Sequence, residues 1–275
     1  MSARSWLVTS ALTLAAVTLV GCAQPGPEAS VTPVAEPGHW SYDGASGPAS
    51  WAELDSGFET CAVGSRQSPI DLPAAMPAAS RSIRLSATNA DGDVFDSGHA
   101  VEFESDGEGE TLTLAGDEYH LQQMHAHVPS EHTVNGRPAA AELHLVHATA
   151  DGALLVLGVL VAEGQASDAL APFIEAATHP ADEGDVTMDV SAVLPSSLEH
   201  FEYSGSLTTP PCTEDVQWVV MSTPISMSPG QIGTLVGAHS HNARPTQPLG
   251  DRVVSGGTTE LGVEVEGEGA SAEVD

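Results

Sequence analysis

Short stretches in which apolar residues alternate with polar ones, or follow one another for a few positions, recur through the middle of the chain. Residues 83–87, 100–104, 111–115, 120–128, 141–148, 154–162 and 217–222 have this strand pattern. Helical periodicity is scarce. Two segments predict helices: 168–177, and one opening at Ser228-Pro229, where a capping serine precedes proline at the first helical position. The stretch 38–79, with scattered Gly, Pro, Trp and Ser, reads as loop packed over a sheet. No internal repeat is present. The predicted class is sheet-centred α+β, mainly β, with a few peripheral short helices.

Both ends fall outside this pattern. Arg4 precedes an apolar run from Trp6 to Val20 that is too short for a comfortable membrane span, so residues 1–21 predict a cleaved export signal. The run closes on Leu19-Val20-Gly21-Cys22, which resembles the bacterial lipobox, although a cysteine can also stand there by chance. On the lipobox reading Cys22 receives lipid. The protein is then exported and anchored on the extracytoplasmic side of a membrane, in the periplasm or at the cell surface, without a transmembrane helix. Residues 22–37, rich in Pro, Glu, Ala and Ser, read as a flexible tether. Residues 256–275, rich in Gly and Glu, read as a disordered acidic tail, which leaves 38–255 as the folded domain.

Charge narrows the range of partners. The 275 residues hold 38 acidic side chains against seven basic ones, all arginine, for a net charge of −31 at pH 7. That balance argues against nucleic acid as a partner. The carboxylates read first as a well-solvated surface, and alternatively as adaptation to high salt, where short-range screening lets like charges coexist. Assigning Cys22 to lipid leaves Cys61 and Cys212. In an oxidising compartment they can pair; two separate buried thiols are the other reading.

Strand geometry then brings out a candidate metal site. Residues two apart in a strand share a face, so His125 and His127 sit side by side in the 120–128 strand. The 141–148 strand places Glu142, His144 and Val146 on one face, which offers a third ligand. Glu142 and Gln123 are candidates to accept the second ring N–H of these histidines. Three neutral imidazoles with an open fourth position describe a catalytic zinc site, against the alternative of buried structural histidines. A second His-x-His, His239 and His241, lies in a loop-like context and reads as solvated loop.

At this point the chain resembles the alpha-class carbonic anhydrases over residues 39–249. Six ordered blocks carry the resemblance: His39-Trp40-Ser41-Tyr42; Gln67-Ser68-Pro69-Ile70-Asp71-Leu72; Ser97-Gly98-His99-Ala100; His125-Ala126-His127 with Ser130-Glu131-His132-Thr133; residues 141–147; and Ser206-Leu207-Thr208-Thr209-Pro210-Pro211-Cys212. The resemblance implies a large, twisted, mostly antiparallel central sheet. It implies one zinc ion per chain and the reversible hydration of carbon dioxide to bicarbonate and a proton by zinc-bound hydroxide.

Residue by residue, it makes His125, His127 and His144 the zinc ligands, supported by Gln123 and Glu142. Thr208 is the gatekeeper, oriented by Glu131. His99 is the proton shuttle, with Tyr42 and Thr209 lining the water network. Val146, Val156, Leu207, Val216 and Trp218 form the apolar wall for carbon dioxide, with plain core as the other reading for Val156 and Val216. Cys61 and Cys212 fall where secreted members form a disulfide, and the family also admits a homodimer.

The match departs from the family at Ser97 and Glu102, where several members carry amides beside the shuttle. Glu102 is therefore expected to raise the pKa of His99 by proximity. Two other functions compete: an adhesion or zinc-capture surface protein on the same scaffold, and an esterase side activity.

Overall fold

The computed structural model describes residues 38–262, apart from 76, 78, 87–88, 108–109 and 179–183. The expected signal 1–21, the lipidation site Cys22 and the tether 22–37 lie outside the described residues. Four short helices stand at Trp51–Leu54 (α1), Thr60–Val63 (α2), Ala171–Ala177 (α3) and Pro229–Ala238 (α4) among the described residues. The strands are β1 Asp71–Leu72, β2 Ala79–Ser86, β3 Asn89–Asp96, β4 Val101–Ser105, β5 Thr111–Leu114, β6 Asp117–His127, β7 Thr133–Val134 and β8 Arg137–Pro138. They continue with β9 Ala141–Ala148, β10 Leu154–Glu163, β11 Gly184–Asp189, β12 Glu199–Ser206, β13 Glu214–Met221, β14 Ile225–Met227 and β15 Ser255–Gly262.

Twelve strands form one sheet in the order β11-β3-β4-β6-β5-β2-β15-β12-β13-β10-β14, with β9 joined to β6 and β10. Most neighbours are antiparallel; β10–β13, β10–β14 and β15–β2 are parallel. The mainly β class and the mostly antiparallel sheet thus stand. β1, β7 and β8 make a small separate sheet. At α4, Ser228 Oγ accepts from Gln231 N–H while the Gln231 side chain takes the Ser228 N–H, so the predicted serine cap is a reciprocal box.

One irregularity decides which side chains share a face. Between Leu121 and Gln123 the β6–β9 register shifts by one: Leu121 opposes His147, but Gln123 opposes Val146. Gln122 is the extra residue. Tyr119, Leu121, Met124 and Ala126 consequently all pack into the larger hydrophobic core, although Leu121 and Met124 are three apart. Gln123, His125 and His127 are turned to the opposite face. On that face a second cluster gathers Ile70, Leu72, Val156, Tyr203, Val216 and Trp218.

The sequence pattern anticipated β2, β4, β5, β6, β9, β10 and β13, and missed five others of the large sheet. In β3 the buried positions are Ala90, Gly92 and Val94, too small to give an apolar signal. β12 buries His200 and Glu202, which look polar in the sequence. The stretch 38–79 is not all loop, since it contains α1 and α2. A further correction concerns the expected tail 256–275. Residues up to Gly262 form β15, paired with β12 on one side and β2 on the other. The glycines that suggested disorder are there for room: a Cβ on Gly257 would meet His200 Nε2 at 2.1 Å and Glu202 Oε1 at 2.5 Å. The rest of the expected tail lies outside the described residues.

Cys61 and Cys212 form a disulfide, with Cα atoms 5.0 Å apart across a sequence separation of 151. It ties α2 to the segment after β12. If β15 is an integral strand packed on His200, Gly257→Val destabilises the protein by about 1–3 kcal/mol, the usual scale of overpacking. Urea unfolding checks this; a midpoint equal to that of the unchanged chain would mean that β15 is not held there.

Candidate active site

The shifted register sets His125 opposite His144 and His127 opposite Glu142. Three imidazoles therefore converge, and one ligand atom from each lies within 4.8 Å of the others. The other nitrogens have partners. His125 Nδ1 is 2.7 Å from Gln123 Oε1, and His127 Nδ1 is 2.6 Å from the Asn242 carbonyl oxygen. These acceptors hold the proton on Nδ1 and leave the Nε2 lone pair free. His144 Nε2 lies 3.1 Å from Glu142 Oε1, within ion-pair distance though not aligned as a straight hydrogen bond.

His127 Nε2 is buried without a hydrogen-bond partner. Leaving a buried polar atom so costs about 1–3 kcal/mol, and a bound cation removes the cost. Burial, with the repulsion of neighbouring histidines, depresses the pKa of all three rings: well below the ordinary value for His125, to about 4 for His127, and downward for His144. Neutral, convergent nitrogens suit zinc, which takes three histidines in catalytic sites. A second cluster, His132, Glu142 and His144, is different in kind. There Glu142 Oε2 accepts from the N–H groups of Glu131 and His132, and Oε1 sits 2.7 Å from His132 Nδ1. Burial opposes the Glu142 charge, but His132, His144 and these bonds hold its pKa well below the usual carboxylate range. It is a framework for His144, with its oxygens already engaged.

Thr208 is buried, and its hydroxyl is hydrogen-bonded to Glu131. Glu131 Oε1 also accepts from the Arg244 backbone N–H at 2.8 Å. Burial nevertheless pushes Glu131 up to about 7, against the pull of His144, the Arg244 N–H and Thr208. A dication among the three histidines would bring it down again. Tyr42 is pushed up by burial and by the Glu131 charge, so its hydroxyl stays protonated.

His125 and His127 open on a cavity of about 220 Å³ lined also by Trp40, Tyr42, Ser97, His99, Glu102, Gln123 and Thr209. His99 stacks on Trp40, ring centroids 3.6 Å apart. Its pKa is lowered, chiefly by burial and then by His39 and His239, while Asp96 pulls the other way. The expected upward push from Glu102 is thus corrected: Asp96 is the group that raises His99, burial outweighs it, and Glu102 is itself raised, by burial and by Glu104.

The cavity lining does not include the five apolar residues. Val156, Val216 and Trp218 are buried, whereas Val146 and Leu207 keep partial exposure. Register puts Val146, Val156 and Trp218 in one row across β9, β10 and β13, behind His144, whose ring lies 4.9 Å from Trp218. Sequence reasoning gave no role to His132, Asn242 or Arg244. Asn242 fixes His127 through its carbonyl and Val128 N–H through Oδ1. The Arg244 guanidinium donates to Gln67 Oε1, Ser68 O and Cys61 O. Asn242 and Arg244 lie in a segment without periodicity, so nothing in the spacing marks them.

The sequence profile of the eukaryotic-type carbonic anhydrase family matches residues 46–257. A carbonic anhydrase of Pectobacterium atrosepticum is 36% identical over 220 residues, covering 78% of this chain and 90% of that protein. One from Nostoc sp. is 39% identical over 227 residues, covering 78% and 85%. Among solved structures, the alpha-carbonic anhydrase of Thermovibrio ammonificans in complex with sulfanilamide superposes with a TM-score of 0.75 at 34% identity, over 79% of this chain and 98% of that one.

The raised Glu131 predicts a proton count. In the metal-free protein at pH 7 the carboxyl is about half protonated, and more so at pH 6, because its folded value lies above that of an ordinary glutamate. Zinc loading displaces that proton, so Glu131→Gln should release about half a proton fewer per zinc ion at pH 7 and nearly one fewer at pH 6. Titration calorimetry in buffers of different ionisation enthalpy measures the difference. Equal counts in the two proteins would show Glu131 to be ionised before the metal arrives.

Proposed function

The chain belongs to the eukaryotic-type, or alpha, carbonic anhydrase family, whose reaction is the hydration of carbon dioxide, and we propose that it performs this reaction with a zinc ion held by His125, His127 and His144. The observation that carries the proposal is the convergence of three neutral imidazoles, among them His127, whose buried Nε2 lacks a hydrogen-bond partner. When bound, zinc supplies Lewis acidity and a hydroxide nucleophile at neutral pH; the reference value, a water pKa of about 7, comes from carbonic anhydrase itself.

The protein's own residues orient and exclude. Gln123, the Asn242 carbonyl and Glu142 hold each ring to one tautomer and one direction. The Thr208 hydroxyl donates a hydrogen bond to the Glu131 carboxylate, so its lone pairs are left to accept from an O–H in the cavity. The site thereby favours species that carry a proton and disfavours anions that have none. The carbon dioxide surface implied by the family would fall to Val146, two residues from His144 on β9, and to Leu207, both partly exposed at the edge of the second core cluster though outside the cavity lining. His99, at the far side of the cavity, takes up the surplus proton and passes it to solvent, with Tyr42 and Thr209 lining the way between. Its lowered pKa makes it a readier donor to solvent than a free imidazole.

Export is part of the same reading. A disulfide across 151 residues fits an oxidising compartment and supports secretion by the 1–21 segment, with lipid attachment at Cys22. The retention of all three imidazoles favours catalysis over simple adhesion or zinc capture, and the cavity holds no feature dedicated to an ester.

The initial rate of carbon dioxide hydration by the chain lacking its first 22 residues tests the proposal. It should be zinc-dependent, fall by more than about a hundredfold in His144→Ala, and fall by about a hundredfold in Thr208→Val, where the orienting hydroxyl is lost. A folded, zinc-loaded protein with no rate above buffer would refute it.

A further inference from the structure

The loop after α4 carries the second His-x-His pair, and its two members part company. His241 is exposed, in a left-handed conformation with φ 60°, and its backbone N–H donates to Val128 O. His239 is different: only 19% of its side chain is exposed, and Nε2 lies 2.6 Å from Asp96 Oδ1. Reading both as solvated loop is therefore wrong for His239.

Asp96 ends β3 and opens the turn that carries His99. The same Oδ1 accepts the Gly98 N–H at 2.7 Å, and the turn closes with Ser97 N–H on Ala100 O at 3.0 Å. Gly98 adopts φ +85°, a conformation open to glycine. Asn242, three residues beyond His239, donates from Nδ2 to the His99 carbonyl at 3.2 Å. The loop 239–242 thus grips this turn at both ends, and the same Asn242 fixes His127. A group that carries protons between a cavity and solvent needs its backbone held at a fixed reach and its proton affinity set by neighbouring charge.

Both requirements meet at this pair. The titratable groups facing His99 are Asp96 on its own turn, His239 after α4 and His39 on the N-terminal segment, with Glu102 and Tyr42 lining the same cavity. Asp96 favours the charged imidazole; a charged His239 opposes it. Held together at 2.6 Å, the two act on His99 in opposite senses. Burial raises the Asp96 carboxyl, but the Gly98 N–H and His239 outweigh it and hold the group below its usual range.

We propose that the His239–Asp96 pair is a positioning device for His99: it pins the 96–100 turn at the cavity rim and balances the charge beside the imidazole, so that proton release proceeds near neutrality. The inference rests on reading His99 as the proton carrier. His239 touches neither substrate nor metal ligand and acts through His99.

The test compares the zinc-loaded protein with His239→Ala, His239→Gln, Asp96→Asn and His99→Ala, measuring kcat and kcat/KM for carbon dioxide across pH at low and high buffer concentration. In the three pair variants kcat/KM stays unchanged. The midpoint of the kcat profile rises in both His239 variants and falls in Asp96→Asn, each by about half a pH unit, the scale of a partly solvated charge pair. His239→Gln keeps a donor for Asp96 and so retains the maximal kcat. His239→Ala loses about two- to tenfold in low buffer, a part of the usual contribution of acid–base catalysis, and added imidazole restores it. Midpoints that stay put, or that move the same way in all three variants, overturn the proposal; so does a parallel fall in kcat/KM. If His99→Ala leaves kcat intact, the proton-carrier reading itself fails. If His99→Ala lowers kcat and the pair variants do not, only the pair's role fails.

Discussion

Everything in the cavity depends on the one-residue shift where β6 meets β9. Continued without it, the pairing of Leu121 with His147 would set His125 opposite Leu143 rather than His144. The imidazoles of the two strands would then point to opposite faces of the sheet, and no metal ion could reach all three. The extra residue at Gln122 also lets Leu121 and Met124 share the larger core, so the strand loses no burial in turning. A bulge costs local ladder hydrogen bonds, and here the cost is set against both a packed core and a convergent site.

Beside the three imidazoles the protein buries Glu131 and Glu142 and treats them oppositely. Glu142 is engaged by two backbone N–H groups and His132, with His144 at ion-pair distance, and it stays charged. Glu131, with fewer donors and one oxygen lacking a hydrogen-bond partner, is pushed towards neutrality, and a cation among the histidines would offset that. The first is a structural anion; the second would respond to an ion held by the histidines. Arg244 links this pair to the N-terminal segment, since its backbone serves Glu131 while its guanidinium ties down Cys61, Gln67 and Ser68. The disulfide closes the same region.

The sequence brings the three imidazoles to notice because residues two apart in a strand share a face: His125 and His127 do so on β6, and Glu142, His144 and Val146 on β9, while their reading as zinc ligands came from the resemblance. Roles for Thr208, Glu131 and His99 came from family resemblance, since no local pattern distinguishes them from other polar residues. What stayed hidden has physical reasons. A bulge is set by three-dimensional pairing and leaves no mark in composition. β3 hides behind Ala90 and Gly92, β12 behind His200 and Glu202, and β15 behind glycines that make space for those two side chains. Asn242, Arg244 and His239 act from an irregular loop, where spacing says little.

The place of β15 in the sheet has a consequence for how the chain is made. It lies between β2 and β12, yet it follows every other described strand in sequence, and its residue Gly257 pairs with Arg81. During synthesis β2 and β12 must each wait with one edge open until this last strand emerges. Such distant pairing makes folding slow, and the open edges are places where nascent chains can join one another. Closure of the sheet between β2 and β12 is therefore a late event, which comes only once every other described strand has been made.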